Sequence, residues 1–243
     1  MSVHMKVLQA LFITLFSFVC VSGCSWCASA AEEPVTAIDI AIRPDDKMIE
    51  RAQASNAELR KDYPKGFALD ASHHPHITLL QRFVKTADLD KSYAAAAAVL
   101  AKEKLATWKL SAFNYCLMRD KEIGLEGIVV KPTPELLRLQ QELIDAVAPF
   151  TSPTGTAAAF VRTPEQPDIN ETTMYFVTKF LDVNVGKKYN PHVTTGVSSV
   201  ENLEKIIAKP FDTFTFSPAG VSVYQLGNFG TAQTELKSFE INH

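Results

Sequence analysis

A chain of 243 residues that is 47% hydrophobic and 21% charged has enough apolar material for one substantial core, which excludes a disordered chain and a polytopic membrane protein. The formal charge of -3, with no long basic run, excludes a broad nucleic-acid surface but leaves a small or terminal nucleotide compatible.

The chain opens on a targeting pattern over residues 1–30. Met5-Lys6 is followed by the apolar run Val7 to Val21 and then by small residues, the order of a secretory signal. That run is shorter than the roughly 20 residues a spanning helix needs. Two cleavage sites compete. Val21-Ser22-Gly23-Cys24 resembles a bacterial lipobox, which would lipidate Cys24 as the first mature residue, whereas Ala28-Ser29-Ala30 would release a soluble product starting at Ala31. Both readings place the protein outside the cytoplasm, in a bacterial periplasm or envelope, with a membrane contact only through a lipid on Cys24. Residues 34–243 are then expected to form a single bilobal domain. Cys116 is its one cysteine, in an apolar strand-like run, so an inert buried thiol is expected and no internal disulfide is available.

Val35 to Ile42 is apolar and β-branched enough for a strand, and Asp45 to Tyr63 reads as a helix with Met48, Ile49, Ala52 and Leu59 near one face. Pro64 to Gly66 breaks it. A strand is predicted from about His76 to Val84, and Leu89 to Lys104, with its alanine run, as a helix. Thr107 to Met118 and Glu122 to Val130 read as strands joined by Arg119-Asp120-Lys121. Thr133-Pro134 caps a helix through Val147, with Leu136, Leu139, Leu143 and Val147 on one stripe. Pro149 to Asn170 reads as a long crossover or lid, and Thr172 to Leu181 as a short helix. Gly186 to Asn190 leads into another strand, and Ser198 to Glu201 makes a capping box for a helix through Ala208. Strands are predicted at Thr213 to Ser217, Val221 to Leu226 and Glu235 to Ile241. Each half supplies strands, two helices and one copy of a four-residue pattern; periodicity alone gives α+β.

The repeated pattern is Pro75-His76-Ile77-Thr78 and Pro191-His192-Val193-Thr194. In an extended strand alternate side chains share a face, so His76 with Thr78, and His192 with Thr194, would project together while Ile77 and Val193 enter the core. Two imidazoles and two hydroxyls around one point make a phosphate-handling set. An imidazole with an ordinary pKa of about 6.5 can give or take a proton near neutrality, and the hydroxyls can donate to non-bridging oxygens. Arg82 shares the phase of His76 on a regular strand and could reach a phosphate, or it is a charged strand end. Tyr189 could touch a base or a phosphate, or simply pack at the strand entry.

Two H-x-T copies on predicted strands resemble the signature of the two-histidine (2H) phosphoesterase superfamily, which contains 2'-5' RNA ligase-like proteins and cyclic nucleotide phosphodiesterases. His76 to Gln81, Tyr189-Asn190-Pro191 and Tyr224-Gln225-Leu226-Gly227 are similar to that family as well. The resemblance implies a two-lobed α+β fold, each lobe an antiparallel sheet with helices on its outer face, and a cleft between lobes carrying the two H-x-T strands. It also implies catalysis by His76, Thr78, His192 and Thr194, without a metal or other cofactor. The expected substrate is a small nucleotide or oligonucleotide with a 2',3'-cyclic phosphate or a 2'-5' linkage, and a monomer is expected. Two alternatives stand beside it. His73, His74 and His76 with His192 could ligate a metal, although no Asp or Glu stands at a usual ligand spacing, or the fold could bind a nucleotide in the envelope without turning it over. The sequence holds no convincing G-x-S-x-G, P-loop or dinucleotide fingerprint.

Overall fold

The β-branched run Val35–Pro44 becomes strand β1, whose alternate residues Ile38, Ile40 and Ile42 are fully buried in the main core. In the computed structural model residues 33–241 are described, and Glu33 onward forms one compact unit. The signal segment, Cys24 and both cleavage positions lie outside the described residues. After β1 come α1 (Asp46–Asp62), β2 (Ile77–Lys85), α2 (Leu89–Leu100), β3 (Leu110–Asp120) and β4 (Ile123–Val130). Then follow α3 (Pro134–Val147), β5 (Thr151–Ser152), α4 (Glu171–Val183), β6 (His192–Ser199), α5 (Val200–Ile207), β7 (Phe214–Phe216), β8 (Pro218–Leu226) and β9 (Ala232–Glu240). The class is α+β.

The strands form one antiparallel sheet in the order β7-β3-β4-β6-β2-β1-β8-β9, with the short β5 added beside β2. The two sheets expected as separate lobes are thus halves of a continuous surface. They meet at a single residue pair, Ile77 with Val193, the central residues of the two H-x-T motifs. A second link is the exchange of helices. Helix α1, which follows β1 in the first half, packs on β6, and α3, which follows β4 in the second, packs on β2. Ile40 and Leu80 from one half share a core with Ile128, Val130 and Leu136 from the other. Each such side chain contributes about 1.5–3 kcal/mol when fully buried, so neither half keeps its core alone.

Helix starts follow the sequence closely, whereas α2 ends at Leu100, short of the expected Lys104. Asp45 accepts from the Met48 amide at 3.3 Å and Thr133 from the Leu136 amide at 3.2 Å, each satisfying an otherwise orphaned N–H. One cap differs: Ser199, not Ser198, accepts from the Asn202 backbone amide and starts α5, while Ser198 donates to Asp62 and accepts from the Asn202 side chain. The crossover from Pro149 to Asn170 also carries structure, since Thr151–Ser152 extends the sheet beside Val84 and Phe83. Among the described residues no helix is long and apolar enough to cross a membrane.

Candidate active site

Both motif strands contain a β-bulge directly after the motif threonine. Along β2, Thr78 pairs with Ala41 and Leu80 with Ile40, leaving Leu79 extra; along β6, Thr194 pairs with Gly127 and Gly196 with Glu126, leaving Thr195 extra. A bulge leaves its residue outside the ladder, and its buried carbonyl then needs another partner. Each is met by a buried amide from the exchanged helix. Gln140 of α3 donates to Leu79 O at 3.1 Å, and Asn56 of α1 donates to Thr195 O at 2.8 Å. The bulges reset the alternation, so His76 and Thr78 face the same side as Gln81 rather than Arg82.

That reset relocates Arg82. It pairs with Ile38 and so shares the helix-side face of the sheet, where burial and the nearby Asp182 carboxylate act on it in opposite senses and its pKa ends below the ordinary value. Gln81 pairs with Asp39 and takes the cleft position. The expectation that Arg82 holds phosphate assumed a regular strand, and the extra residue Leu79 removes that premise. Tyr189 is likewise withdrawn from substrate. It is 5% exposed, burial pushes its phenol up, and its hydroxyl donates to Thr78 O at 2.7 Å, tying the entry of the second motif to the first.

His76 and His192 line one cavity of about 280 Å³ together with Thr78, Thr194 and Gln81. The two rings are held in the same way. His76 Nδ1 lies 2.8 Å from His74 O, and His192 Nδ1 lies 2.7 Å from Asn190 O, in both cases the carbonyl two residues back. A carbonyl only accepts, so Nδ1 carries the proton in each neutral ring and Nε2 is left for chemistry. Gly127 makes room for the second ring: a Cβ there would stand 2.9 Å from His192 Cδ2 and 3.1 Å from Cys116 Sγ. Cys116 is itself unreactive, with burial and the Glu126 charge pushing its thiol up to about 11.

The surroundings of the two rings differ. Asp39, fully buried, receives the Thr78 hydroxyl at 2.6 Å and the Gln81 amide at 2.9 Å on Oδ2, which also lies 3.4 Å from His76 Nε2. Burial acts to lower His76, but the nearby Asp39 carboxylate outweighs it and its pKa is raised. At the corresponding register beside β6 stand Leu125 and Val197. With no carboxylate there, burial dominates and His192 is lowered. Thr78 thus has its only proton committed to Asp39, while Thr194 has an aliphatic neighbour where Thr78 has the carboxylate.

The other walls are mostly apolar. Met118, Ile123, Phe176 and Phe229 face the same space, and Arg119 is the one cation among the described lining residues. Arg119 is paired with Glu204. Phe229 adopts φ +60°, a conformation that costs a bulky residue of order 1–3 kcal/mol, and its amide is held by Thr173 Oγ1 at 2.9 Å.

His73 and His74 do not join the cleft pair. His73 stacks on Phe67, with its Nδ1 3.8 Å from Asp70, and His74 stacks on Tyr224. Among the described residues no three His, Cys, Asp or Glu side chains converge as a metal would require. Sequence reasoning missed Asp39, Gln81, Asn56 and Gln140. Asp39 was visible as a lone acid inside an otherwise apolar strand, and adjacent Leu79-Leu80 broke the alternation where the bulge lies.

No family model and no curated protein matches the chain. Solved structures similar to it include Escherichia coli LigT complexed with NADP+, 14% identical with a TM-score of 0.46 over 86% of this chain and 100% of that one. LigT complexed with ATP is 13% identical, with a TM-score of 0.43 over 86% and 100%. TT0787 of Thermus thermophilus is 17% identical, with a TM-score of 0.49 over 85% of this chain and 98% of that one.

Proposed function

We propose that this protein is a two-histidine phosphoesterase that hydrolyses a small 2',3'-cyclic phosphodiester by paired imidazole acid-base catalysis. The observation that carries this reading is the matched pair of rings, each fixed through Nδ1 to the carbonyl two residues back and sharing one cavity. Water attacks phosphorus as one Nε2 takes its proton. The phosphorus–oxygen bond to one ribose oxygen breaks, the electron pair leaves on that oxygen, and the other Nε2–H protonates it. The product is a phosphomonoester with a free ribose hydroxyl, and exchange with solvent resets both rings.

Charge favours a substrate carrying one negative charge. With Arg119 paired to Glu204 and Asp39 at the first motif, the site offers little to a dianion, and the product's second charge would promote release. A cavity of about 280 Å³ lies at the small end of ligand pockets, roughly 300–1,000 Å³, which suits a single nucleotide unit better than folded RNA. The apolar walls with Phe176 and Phe229 offer surface to a base. The apolar leader supports export, with Cys24 as the lipid attachment point; conversion of Cys24 to Ser should abolish membrane association.

The test is turnover by the purified protein of 2',3'-cyclic mononucleotides, 2'-5' linked dinucleotides and cyclic-phosphate-ended oligonucleotides, with and without exhaustive chelation. Turnover of the cyclic mononucleotides that survives chelation is expected. Activity lost to chelation and restored by zinc would overturn the metal-free chemistry.

A further inference from the structure

The two motifs share their backbone device but not their flanks, and that difference assigns separate roles to the histidines. We infer that Asp39 is a positioning residue that keeps His76 as the proton donor to the leaving oxygen and leaves His192, flanked by Leu125 and Val197, as the base that activates water. This rests on the hydrolytic reading above and deepens it.

Three features of the geometry support the role. First, Oδ2 gathers the Thr78 hydroxyl, the Gln81 amide and the edge of the His76 ring, while Oδ1 has no partner, so the carboxylate is aimed at the first motif. Second, the 3.4 Å separation from Nε2 is longer than an ordinary hydrogen bond. The charge favours the imidazolium without taking its proton out of reach of the substrate. Third, the register that places Asp39 beside Gln81 places Leu125 beside Val197, so nothing equivalent favours a charged His192.

The titratable groups around His76 are Asp39 from β1, Tyr224 from β8, His192 from β6 and His74 ahead of β2. Those around His192 are His76, Asp39 and, behind its ring, Cys116 from β3. Asp39 is the anion acting on both rings, and it acts through contact only on His76. With His76 raised and His192 lowered, a single proton shared by the pair sits on His76 rather than on His192. The opposite division of labour would run from a minor protonation state. A second consequence concerns the threonines. Because the Thr78 proton is held by Asp39, Thr194 is the hydroxyl free to donate to a non-bridging oxygen, while Thr78 offers the cleft an acceptor.

The experiment uses the purified chain with Asp39→Asn, which keeps the shape and removes the charge. The imidazole C–H signals of His76 and His192, assigned with His76→Ala and His192→Ala, are followed by NMR across pH, and kcat/KM for a 2',3'-cyclic mononucleotide is followed over the same range. An opposite charge at this range moves a titration by about one to three pH units. The His76 midpoint should therefore fall by at least about one unit, and the alkaline limb of the rate profile should fall with it, with the acid limb nearly in place. A His76 midpoint that does not move, or an acid limb that shifts instead, overturns the assignment. The NMR arm reads the Asp39–His76 link without turnover, so it separates failure of this inference from failure of the hydrolytic reading. Should Asp39→Asn not fold, Leu125→Asp supplies the converse: a carboxylate beside the second motif should raise the His192 midpoint and move the acid limb to higher pH. Neither changing would equally overturn it.

Discussion

The first motif region and the second are built to one plan up to the side chains and then part. Both have a histidine anchored through Nδ1, a threonine two residues on, a bulge directly after it and a helix amide on the bulge carbonyl. The sequences that deliver this plan differ: the first uses Leu79 and Gln140 where the second uses Thr195 and Asn56. The shared part is what positions two imidazoles identically. The unshared part, Asp39 with Gln81 against Leu125 with Val197, decides their charge. Backbone geometry can therefore be duplicated while electrostatics makes the copies unlike.

The strongest way to break the comparison is to remove one ring at a time. His76→Ala and His192→Ala should each lower turnover of a 2',3'-cyclic mononucleotide by roughly 10² to 10⁴. The double variant should lose much less than the product of the two, because groups acting in one transition state are not additive. Equal and multiplicative losses, measured as kcat/KM, would mean the rings act independently.

A smaller effect is expected where only the second ring is disturbed. At Gly127 a new Cβ would meet the His192 ring at 2.9 Å. Gly127→Ala should reduce kcat by about tenfold or more, since a misplacement of about 1 Å can cost 10²-fold. An unchanged kcat would show that the ring does not depend on this close approach.

The bulge supports allow a comparison by stability. Asn56 donates to Thr195 O and Phe67 O and accepts from the Leu69 amide, whereas Gln140 donates to Leu79 O and Asn184 O. Leaving a buried partner unsatisfied costs about 1–3 kcal/mol. In urea unfolding Asn56→Ala should therefore lose more than Gln140→Ala, each by at least about 1 kcal/mol.

The smallest effect concerns Glu126, which faces the helix side beneath the second motif. Burial raises its pKa, although the Ser55 and Thr195 hydroxyls lower it. A carboxyl that is raised in the folded state holds protons more tightly there than in the unfolded chain, so its contribution to stability falls as pH rises from about 4.3 through the folded value. Glu126→Gln should remove that slope and leave stability at pH 7 within about 0.5 kcal/mol of the parent or above it. A large loss in pH-dependent urea melts would show that the charge itself holds the helix.

Much of this was legible in the sequence, for physical reasons that also explain what was not. The five α-helices of the described residues were found from apolar stripes such as Leu136, Leu139, Leu143 and Val147, from the alanine run of α2 and from capping signals, each a local pattern. Periodicity passed over Asn56 and Gln140 on those same stripes, since a polar residue among apolar ones registers as noise until its partner, a bulge carbonyl, is known. The two H-x-T motifs gave the four residues that share the cleft. Arg82 was misplaced because phase was carried across Leu79, and Asp39 was missed because its role depends on a strand pairing between residues far apart in sequence. The single pair Ile77–Val193 that joins the halves is likewise a matter of register and not of local pattern.

The most direct measurement is the pH dependence of kcat/KM for a 2',3'-cyclic mononucleotide in the wild-type chain and in the two single histidine variants. With His76 as acid and His192 as base, the wild type should give a bell whose apparent pKa values belong to the pair. His76→Ala should retain the acid limb and lose the alkaline one, and His192→Ala should do the reverse. A complete bell in either variant, or one limb removed by both, would contradict a shared step in which the two histidines carry opposite protonation states.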